Sequence, residues 1–356
     1  MRILILENGY RDLEKSRFPL GLFFHSRGNK VFYACPEPSQ TKVYDIPMSR
    51  DRIFPLEIFN SCLKLKELES NLSIEAVLSF RLIPNFLNYL ASFRSRKIKR
   101  VAVVTGLGYA FISSNNSLSA RIQRTLIRSF YQAASRRIQI ITQNSDDLTE
   151  LGVANGLVVL GSGEKAISEY NFNIHTDSIR LLYVGRLLKA KGISLAIEIF
   201  LELRKRNFEA TLTIAGVIDE SNPDSIPGTE IAQYRKIEGI NYLGYVNDVD
   251  EIYRCCNILL FPSTYREGVP RTLIESLKNG LTIVTRNMPG CKETINRNGF
   301  LIEDNTTVKD VVEYLISLNK KCILENRKRS IELFNTMFSA EVIYPQYLSA
   351  LAASAQ

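Results

Sequence analysis

The chain has 356 residues, 45% of them apolar and 23% charged, with six cysteines and a net charge of +8 at neutral pH. That length suggests two domains with sizeable cores, and the composition excludes a disordered chain. No window approaches the ~20 unbroken apolar residues of a membrane-crossing helix, and the cysteines at 35, 62, 255, 256, 291 and 322 have no metal-type spacing with one another or with His25 or His175, so they read as reduced thiols of a cytosolic protein.

Met1–Leu6 is too short an apolar run for a secretory signal, and Glu7, Arg11, Asp12 and Glu14 follow at once. Arg2–Leu6 reads as a first buried strand. Further strands are predicted at Lys30–Ala34, Ala76–Phe80, Val101–Val104 and Ile138–Thr142. Helices are predicted between them at Phe18–Ser26, Leu56–Ser70 and Leu118–Ser135. The second half repeats the alternation, with strands at Arg180–Val184, Thr211–Ala215, Ile258–Phe261 and Thr282–Val284. Its helices are predicted at Gly192–Lys205, Val249–Cys256, Arg271–Asn279 and Val308–Leu318. Strands alternating with helices argue for an α/β protein with two doubly wound domains. A polar segment, Gly161–Ser178, separates them, and Ser339–Ala353 reads as a last helix.

Charge is unevenly spread. From Ala76 to Gln143 there is no Asp or Glu, while Arg81, Arg94, Arg96, Lys97, Lys99, Arg100, Arg121, Arg124, Arg128, Arg136 and Arg137 all fall there. Leu118–Arg137 has the spacing of a basic amphipathic helix. A solvated helix with an ordinary buried face is the plain alternative. A run of such sign purity leans towards an anionic partner. An anionic membrane surface fits it better than nucleic acid, for which no binding module is legible.

The most telling segment is Arg266-Glu267-Gly268-Val269-Pro270-Arg271-Thr272-Leu273-Ile274-Glu275. Pro270 suits the first turn of a helix, so Glu267 falls in the loop entering it and Glu275 inside it. The N–H groups of Gly268, Val269, Arg271 and Thr272 form an anion site at the helix start. A carboxylate beside such a site can accept hydrogen bonds from hydroxyls. Phosphate and sugar together describe a nucleotide sugar. Upstream, Gly185-Arg186 follows a strand end and Lys191 opens the next helix. An Arg, a Lys and a close backbone suit a diphosphate. Gly216 follows another strand. Asn8-Gly9 and Thr105-Gly106-Leu107-Gly108 follow strands of the first half, although a single Gly-x-Gly is a weak dinucleotide signature. Asp248-Val249-Asp250 imitates a metal-binding Asp-x-Asp, but it opens a helix, where acidic residues cap and complement the dipole.

The Glu267–Glu275 segment resembles the Glu-x7-Glu motif of retaining glycosyltransferases of the GT-B fold, glycosyltransferase family 4. Gly185–Gly192 resembles that family's Gly-Arg-x4-Lys-Gly signature. Asn241–Val246, Asn287–Glu293 and Asn298–Leu301 resemble its base-flanking and closing elements. Val104–Tyr109 and Gln143–Leu148 resemble a subgroup that builds lipid-linked surface polysaccharides. The resemblance implies two Rossmann-like domains facing each other across a cleft, with a C-terminal helix crossing back. The expected boundaries are 1–165 for the acceptor domain, 166–338 for the donor domain and 339–356 for the returning helix. It assigns Arg186 and Lys191 to the donor diphosphate, Glu267 to the transferred sugar and Glu275 to the ribose. Tyr245 and Val246 would lie against the base, with Gly9, Gly106, Gly185 and Gly216 giving close approach. Arg94, Arg96, Lys97, Lys99, Arg100, Arg121, Arg124 and Arg128 would form the membrane and acceptor face.

Many members carry a His on the N-terminal wall of the cleft. Here that loop reads Thr105-Gly106-Leu107-Gly108, so no general base is assigned. Catalysis would rest on stabilising the leaving diphosphate. The expected activity is transfer of an N-acetylhexosamine or hexose from a UDP-sugar, without metal or other cofactor. The acceptor would be a polyprenyl-diphosphate-linked saccharide at the inner face of a bacterial membrane, for O-antigen or capsule. The alternatives are a nucleotide-sugar epimerase, for which no acid/base set is legible, and a non-catalytic membrane-associated scaffold.

Overall fold

The computed structural model describes residues 1–39, 42–49, 54–112, 117–167, 178–219, 222 and 224–353. His175 and most of the polar segment lie outside them. The chain forms two compact units, Met1–Gly163 with Ala340–Gln356, and Glu164–Ser339.

The first unit is built on a seven-stranded parallel sheet of order β3-β2-β1-β4-β5-β6-β7. Its strands are β1 Arg2–Leu6, β2 Lys30–Cys35, β3 Val43–Asp45, β4 Ala76–Phe80, β5 Lys99–Val104, β6 Gln139–Thr142 and β7 Leu157–Val158. The second unit has a six-stranded parallel sheet of order β10-β9-β8-β11-β12-β13. These strands are β8 Ile179–Val184, β9 Ala210–Ala215, β10 Ile240–Gly244, β11 Ile258–Phe261, β12 Thr282–Arg286 and β13 Gly299–Ile302. The central strands are near-continuous apolar runs because helices cover both faces. β4 and β11 are buried at every position.

Both sheets reverse strand order once, between β1 and β4 and between β8 and β11. A crevice opens there, beyond the carboxyl ends of the strands, and ligands of doubly wound sheets settle in it. The helix Ala340–Ala353 belongs to the first unit. Its Ile343, Tyr344, Tyr347 and Leu351 pack with Ile3 and Ile5, and the Tyr347 hydroxyl donates to the Gly161 carbonyl at 2.9 Å.

The basic run does not form one exposed face, which corrects the expectation for several residues. Arg100 is buried and forms a two-pronged ion pair with Glu69 at 2.7 and 3.1 Å. Arg124 donates to the Ala110 carbonyl at 2.6 Å. Arg128 pairs with Glu150. Arg94 donates to the Cys62 carbonyl at 2.9 Å and Lys99 to the Ala352 carbonyl at 2.9 Å. The run looks unpaired in sequence because its carboxylate partners, Glu69 and Glu150, lie outside it. Arg96, Lys97 and Arg121 remain exposed.

Helix Leu118–Ala134 starts on Ser117, whose hydroxyl accepts the Ala120 N–H at 3.2 Å. Its inner face, Tyr131 and Ala134 with Ile127 and Phe130, joins a core cluster. Its outer face is apolar too: Leu118 is 73% exposed, Ile122 52% and Leu126 64%. Spacings of four residues set these three in one stripe.

Candidate active site

The switch point of the second unit gathers most of the expected donor residues. Gly185 and Arg186 leave the end of β8, and the loop after β11 carries Glu267. The Gly185 N–H donates to the Ala215 carbonyl at 3.0 Å. Arg186 pairs with Asp219 at 2.8 Å, and its side chain is 45% exposed. The segment 186–192 is held down by Asp224, whose carboxylate accepts the Ala190 N–H at 2.8 Å. Thr264 ties the β11 loop to the same turn, its N–H donating to the Ala190 carbonyl at 2.8 Å. Gly192 adopts φ +79°, and a Cβ there would stand 2.3 Å from the Pro262 carbonyl oxygen. The glycine after Lys191 therefore lets the two loops touch.

That contact brings the two motifs together. The buried Lys191 ammonium meets the Glu267 carboxylate, close to the rings of Tyr265 and Phe261. Burial, and after it the Arg186 charge, draws the Lys191 ammonium down to about 7. The Glu267 carboxylate opposes that pull and favours the charged form. A bound diphosphate would act in the same direction as Glu267.

Helix Arg271–Lys278 points its first turn at the same place. Pro270 stands one position before it as N-cap, and its carbonyl accepts from Leu273 at 3.0 Å and Ile274 at 3.3 Å. The Thr272 hydroxyl reaches the Val184 carbonyl at 3.4 Å, tying the helix start to the end of β8. Gly268, Val269 and Pro270 are buried. First-turn N–H groups have no intrahelical acceptor, and these lie at the helix start beside the end of β8. Arg271 does more than offer its N–H: its side chain lies between Glu275, at 2.7 Å, and Glu164, at 2.8 Å. Glu275 is largely buried, and its second oxygen accepts the Tyr253 hydroxyl at 3.0 Å.

At the β9–β10 edge, Gly216 donates to the Gly244 carbonyl at 2.8 Å and accepts the Tyr242 hydroxyl at 3.1 Å. Tyr245 and Val246 follow directly, with Tyr245 53% exposed. Gly9 and Gly106 belong to the first unit. Gly9 has an extended backbone, φ −164°, that any residue adopts, so nothing local requires glycine there. Gly106 lines a small cavity with Arg81, Thr105 and Tyr131. His25 is exposed on its helix. Asp248 accepts the Asp250 N–H at 3.0 Å, and Asp250 faces Lys278 at 3.3 Å, so the Asp-x-Asp segment serves its helix. Among the described residues no group of three His, Cys, Asp or Glu is placed to hold a metal ion.

Sequence reasoning missed four groups here. Glu164, Tyr253, Asp219 and Asp224 act through partners distant in sequence, and only the Arg271–Glu275 spacing of four was visible in advance. It also missed a cluster at the switch point of the first unit. There Glu7, wholly buried, pairs with Arg17 at 3.0 Å and Arg81 at 3.2 Å, and Arg81 with Asp12 at 2.7 Å. Arg17 also lies 3.5 Å over the Phe80 ring. Burial raises the Glu7 carboxyl despite its two cations. In this cluster the two cations and two carboxylates neutralise one another, whereas in the second crevice Arg186 stays half-exposed beside Asp219.

Several known proteins are similar to this chain. Residues 165–332 match the family described as glycosyl transferases group 1. An enzyme of Campylobacter jejuni, N,N'-diacetylbacillosaminyl-diphospho-undecaprenol alpha-1,3-N-acetylgalactosaminyltransferase, is 25% identical over 94% of this chain and 92% of its own length. A glycosyltransferase from Rickettsia africae superposes with a TM-score of 0.78 at 16% identity, covering 99% of this chain and 98% of that one. The Anabaena protein HepE, crystallised with UDP and glucose, gives 0.76 at 14% identity over 99% and 100%. At such identities the two structures show the shared fold.

Proposed function

Because this chain is a glycosyltransferase of the GT-B fold whose residues 165–332 belong to glycosyl transferases group 1, we propose that it moves one sugar from a UDP-sugar onto a polyprenyl-diphosphate-linked saccharide, with retention of configuration, in bacterial surface-polysaccharide synthesis. The observation that carries this reading is the contact of Lys191 with Glu267 beside Arg186 at the β8–β11 switch point. Lys191, Arg186 and the first-turn N–H groups hold the diphosphate. Glu267 faces the transferred N-acetylhexosamine or hexose, Glu275 accepts from the ribose hydroxyls, and Tyr245 and Val246 flank the uracil. The bond from the anomeric carbon to the diphosphate oxygen breaks as the acceptor oxygen bonds to that carbon. The acceptor proton passes to the departing diphosphate, so no general base is needed, and Arg186 and Lys191 supply the positive charge that a metal would otherwise bring. Fixed cations and dipoles stabilise the charge that develops there. The choice of a diphosphate-linked acceptor follows the Campylobacter relative, whose name specifies one.

The acceptor's lipid gives the outer face of helix Leu118–Ala134 a purpose. We place its stripe of Leu118, Ile122 and Leu126 on an anionic membrane surface at the cytoplasmic side, with Arg121, Arg96 and Lys97 as the basic contribution. Each basic residue near such a surface contributes roughly 1 kcal/mol, and each apolar side chain fully buried adds about 1.5–3 kcal/mol. Among the described residues no helix is long and apolar enough to cross the membrane.

The test is transfer from a panel of UDP-sugars, with EDTA present, to a polyprenyl-diphosphate saccharide in anionic vesicles. The wild type is expected to add one sugar. The combined Leu118→Ser, Ile122→Ser and Leu126→Ser variant is expected to lose at least tenfold in vesicles yet keep its rate on a short-chain, water-soluble acceptor. Absence of product with every nucleotide donor contradicts the transfer reading. Equal rates of variant and wild type in vesicles contradict the surface reading alone.

A further inference from the structure

The Arg271 guanidinium is shared between two carboxylates. Its Nε lies 2.7 Å from one oxygen of Glu275, and a terminal nitrogen lies 2.8 Å from Glu164. Both carboxylates are nearly out of solvent, at 13% and 12% exposure. Glu164 is also fixed by its main chain, which donates to the Phe338 carbonyl at 3.2 Å and bridges to Ser339. One guanidinium cannot neutralise two carboxylates, and the nearby Lys278 is itself paired with Asp250 at 3.3 Å. An arginine next to a single buried carboxylate tends to close on it through two parallel N–H bonds. That closure would put a second guanidinium N–H on the Glu275 oxygen that accepts from Tyr253, using lone pairs that ribose hydroxyls would need.

We infer that Glu164 is a positioning residue of the donor site: by holding one end of Arg271, it keeps that side chain from closing on Glu275 and leaves the Glu275 carboxylate open to the ribose. The inference rests on the reading of Glu275 as the ribose residue. Tyr253 complements it by fixing the other oxygen of Glu275 at 3.0 Å. The arrangement is held against a local penalty, because burial pushes the Glu164 carboxyl up to about 7 even though Arg271 pulls the other way. A carboxylate kept in so unfavourable a place for packing alone could be replaced by an amide without loss at the ribose.

The experiment compares binding of UDP and of 2′,3′-dideoxy-UDP by calorimetry, on the full chain, for wild type, Glu164→Gln, Arg271→Lys and Glu275→Ala. Hydrogen bonds to a charged group contribute enough that losing them weakens binding by about tenfold or more. Glu164→Gln is expected to weaken UDP about tenfold and leave dideoxy-UDP within twofold of wild type. Arg271→Lys, whose point charge cannot span both carboxylates, is expected to do the same, so the conclusion survives if one variant fails to fold. The donor KM should rise with kcat nearly unchanged. Equal weakening of both nucleotides, or of neither, overturns the inference. Glu275→Ala separates the two levels. If it abolishes the preference for UDP over dideoxy-UDP while Glu164→Gln preserves it, only the role of Glu164 fails. If Glu275→Ala itself keeps the preference, the ribose reading fails and the inference falls with it.

Discussion

Glu267→Gln is expected to lower kcat for sugar transfer by about a hundred- to a thousandfold while UDP still binds. The substitution keeps the shape of the side chain and removes the negative charge that faces the sugar. It also leaves the buried Lys191 ammonium without its carboxylate. Breaking a buried pair by removing one partner costs about 3–5 kcal/mol when the remaining group stays charged. Lys191 escapes part of that by losing its proton. In the folded chain its pKa is about 7, against an ordinary 10.5. Between those values the unfolded chain binds more protons than the folded one, so this group's contribution to stability improves as pH rises, and the full cost of the buried charge is present below about 7. Removing the opposing carboxylate deepens that cost. The melting-temperature deficit of the variant against wild type should therefore be larger at pH 6 than at pH 9. Steady-state kinetics with thermal unfolding at both pH values checks this. A variant keeping more than a tenth of the wild-type rate, or a deficit that grows with pH, contradicts the role given to the pair.

Gly290→Ala should be the most damaging small substitution in the second unit. Gly290 has φ +82°, and a Cβ built there falls 1.4 Å from the carbonyl oxygen of Gly268. Two backbone segments meet with no side chain able to move aside. The left-handed backbone costs an alanine about 1–3 kcal/mol, and overpacking adds about 1–3 kcal/mol more. Relief would have to come from moving Gly268, which carries Glu267 with it, so activity should fall together with stability. Gly28→Ala is the control. Gly28 has a similar φ of +78° with no heavy atom within 4 Å of the built Cβ, so it isolates the conformational part. Melting temperatures of both variants, measured side by side, should separate by several degrees. Equal shifts would mean that the Gly268 contact yields without cost.

The central strands were legible in the sequence because buried parallel strands are plain apolar runs, and β1, β4 and β11 begin and end where that reading puts them. Helix Phe18–Ser26 was legible as well. The helix Leu82–Ala91 was not, because the buried Asn85 and Asn88 interrupt the apolar pattern of Ile83, Leu87 and Ala91. Asn85 donates to the Val103 carbonyl at 2.9 Å and Asn88 to that of Val101 at 3.1 Å, and Pro84 sits in its first turn. Helix Lys320–Leu333 hid for the same reason, with Asn326 and Ser330 among its buried residues. Apolar periodicity cannot register a face that is buried through hydrogen bonds. In the site, loop motifs were readable because they are local in sequence. Their partners were not: Glu164 lies about a hundred positions from Arg271, and nothing in its neighbourhood marks it. Arg100 shows the converse. A run without acids looked like one basic face, yet Glu69, outside it, buries that arginine. The stripe of Leu118, Ile122 and Leu126 was present in the spacing, but only packing of the opposite face against the core reveals which side is left outside.

The central claim is that the β8–β11 switch point holds a uridine nucleotide. Its most direct test is thermal unfolding of the wild type and of Glu275→Ala with UDP, GDP, ADP or no nucleotide. Ligand at about 100 times its dissociation constant adds roughly 2.7 kcal/mol to stability, which is readily seen as a rise in melting temperature. The account predicts a rise with UDP alone that is lost in Glu275→Ala, while the variant without nucleotide still unfolds cooperatively. No rise with UDP in the wild type, or an equal rise in the variant, would contradict it.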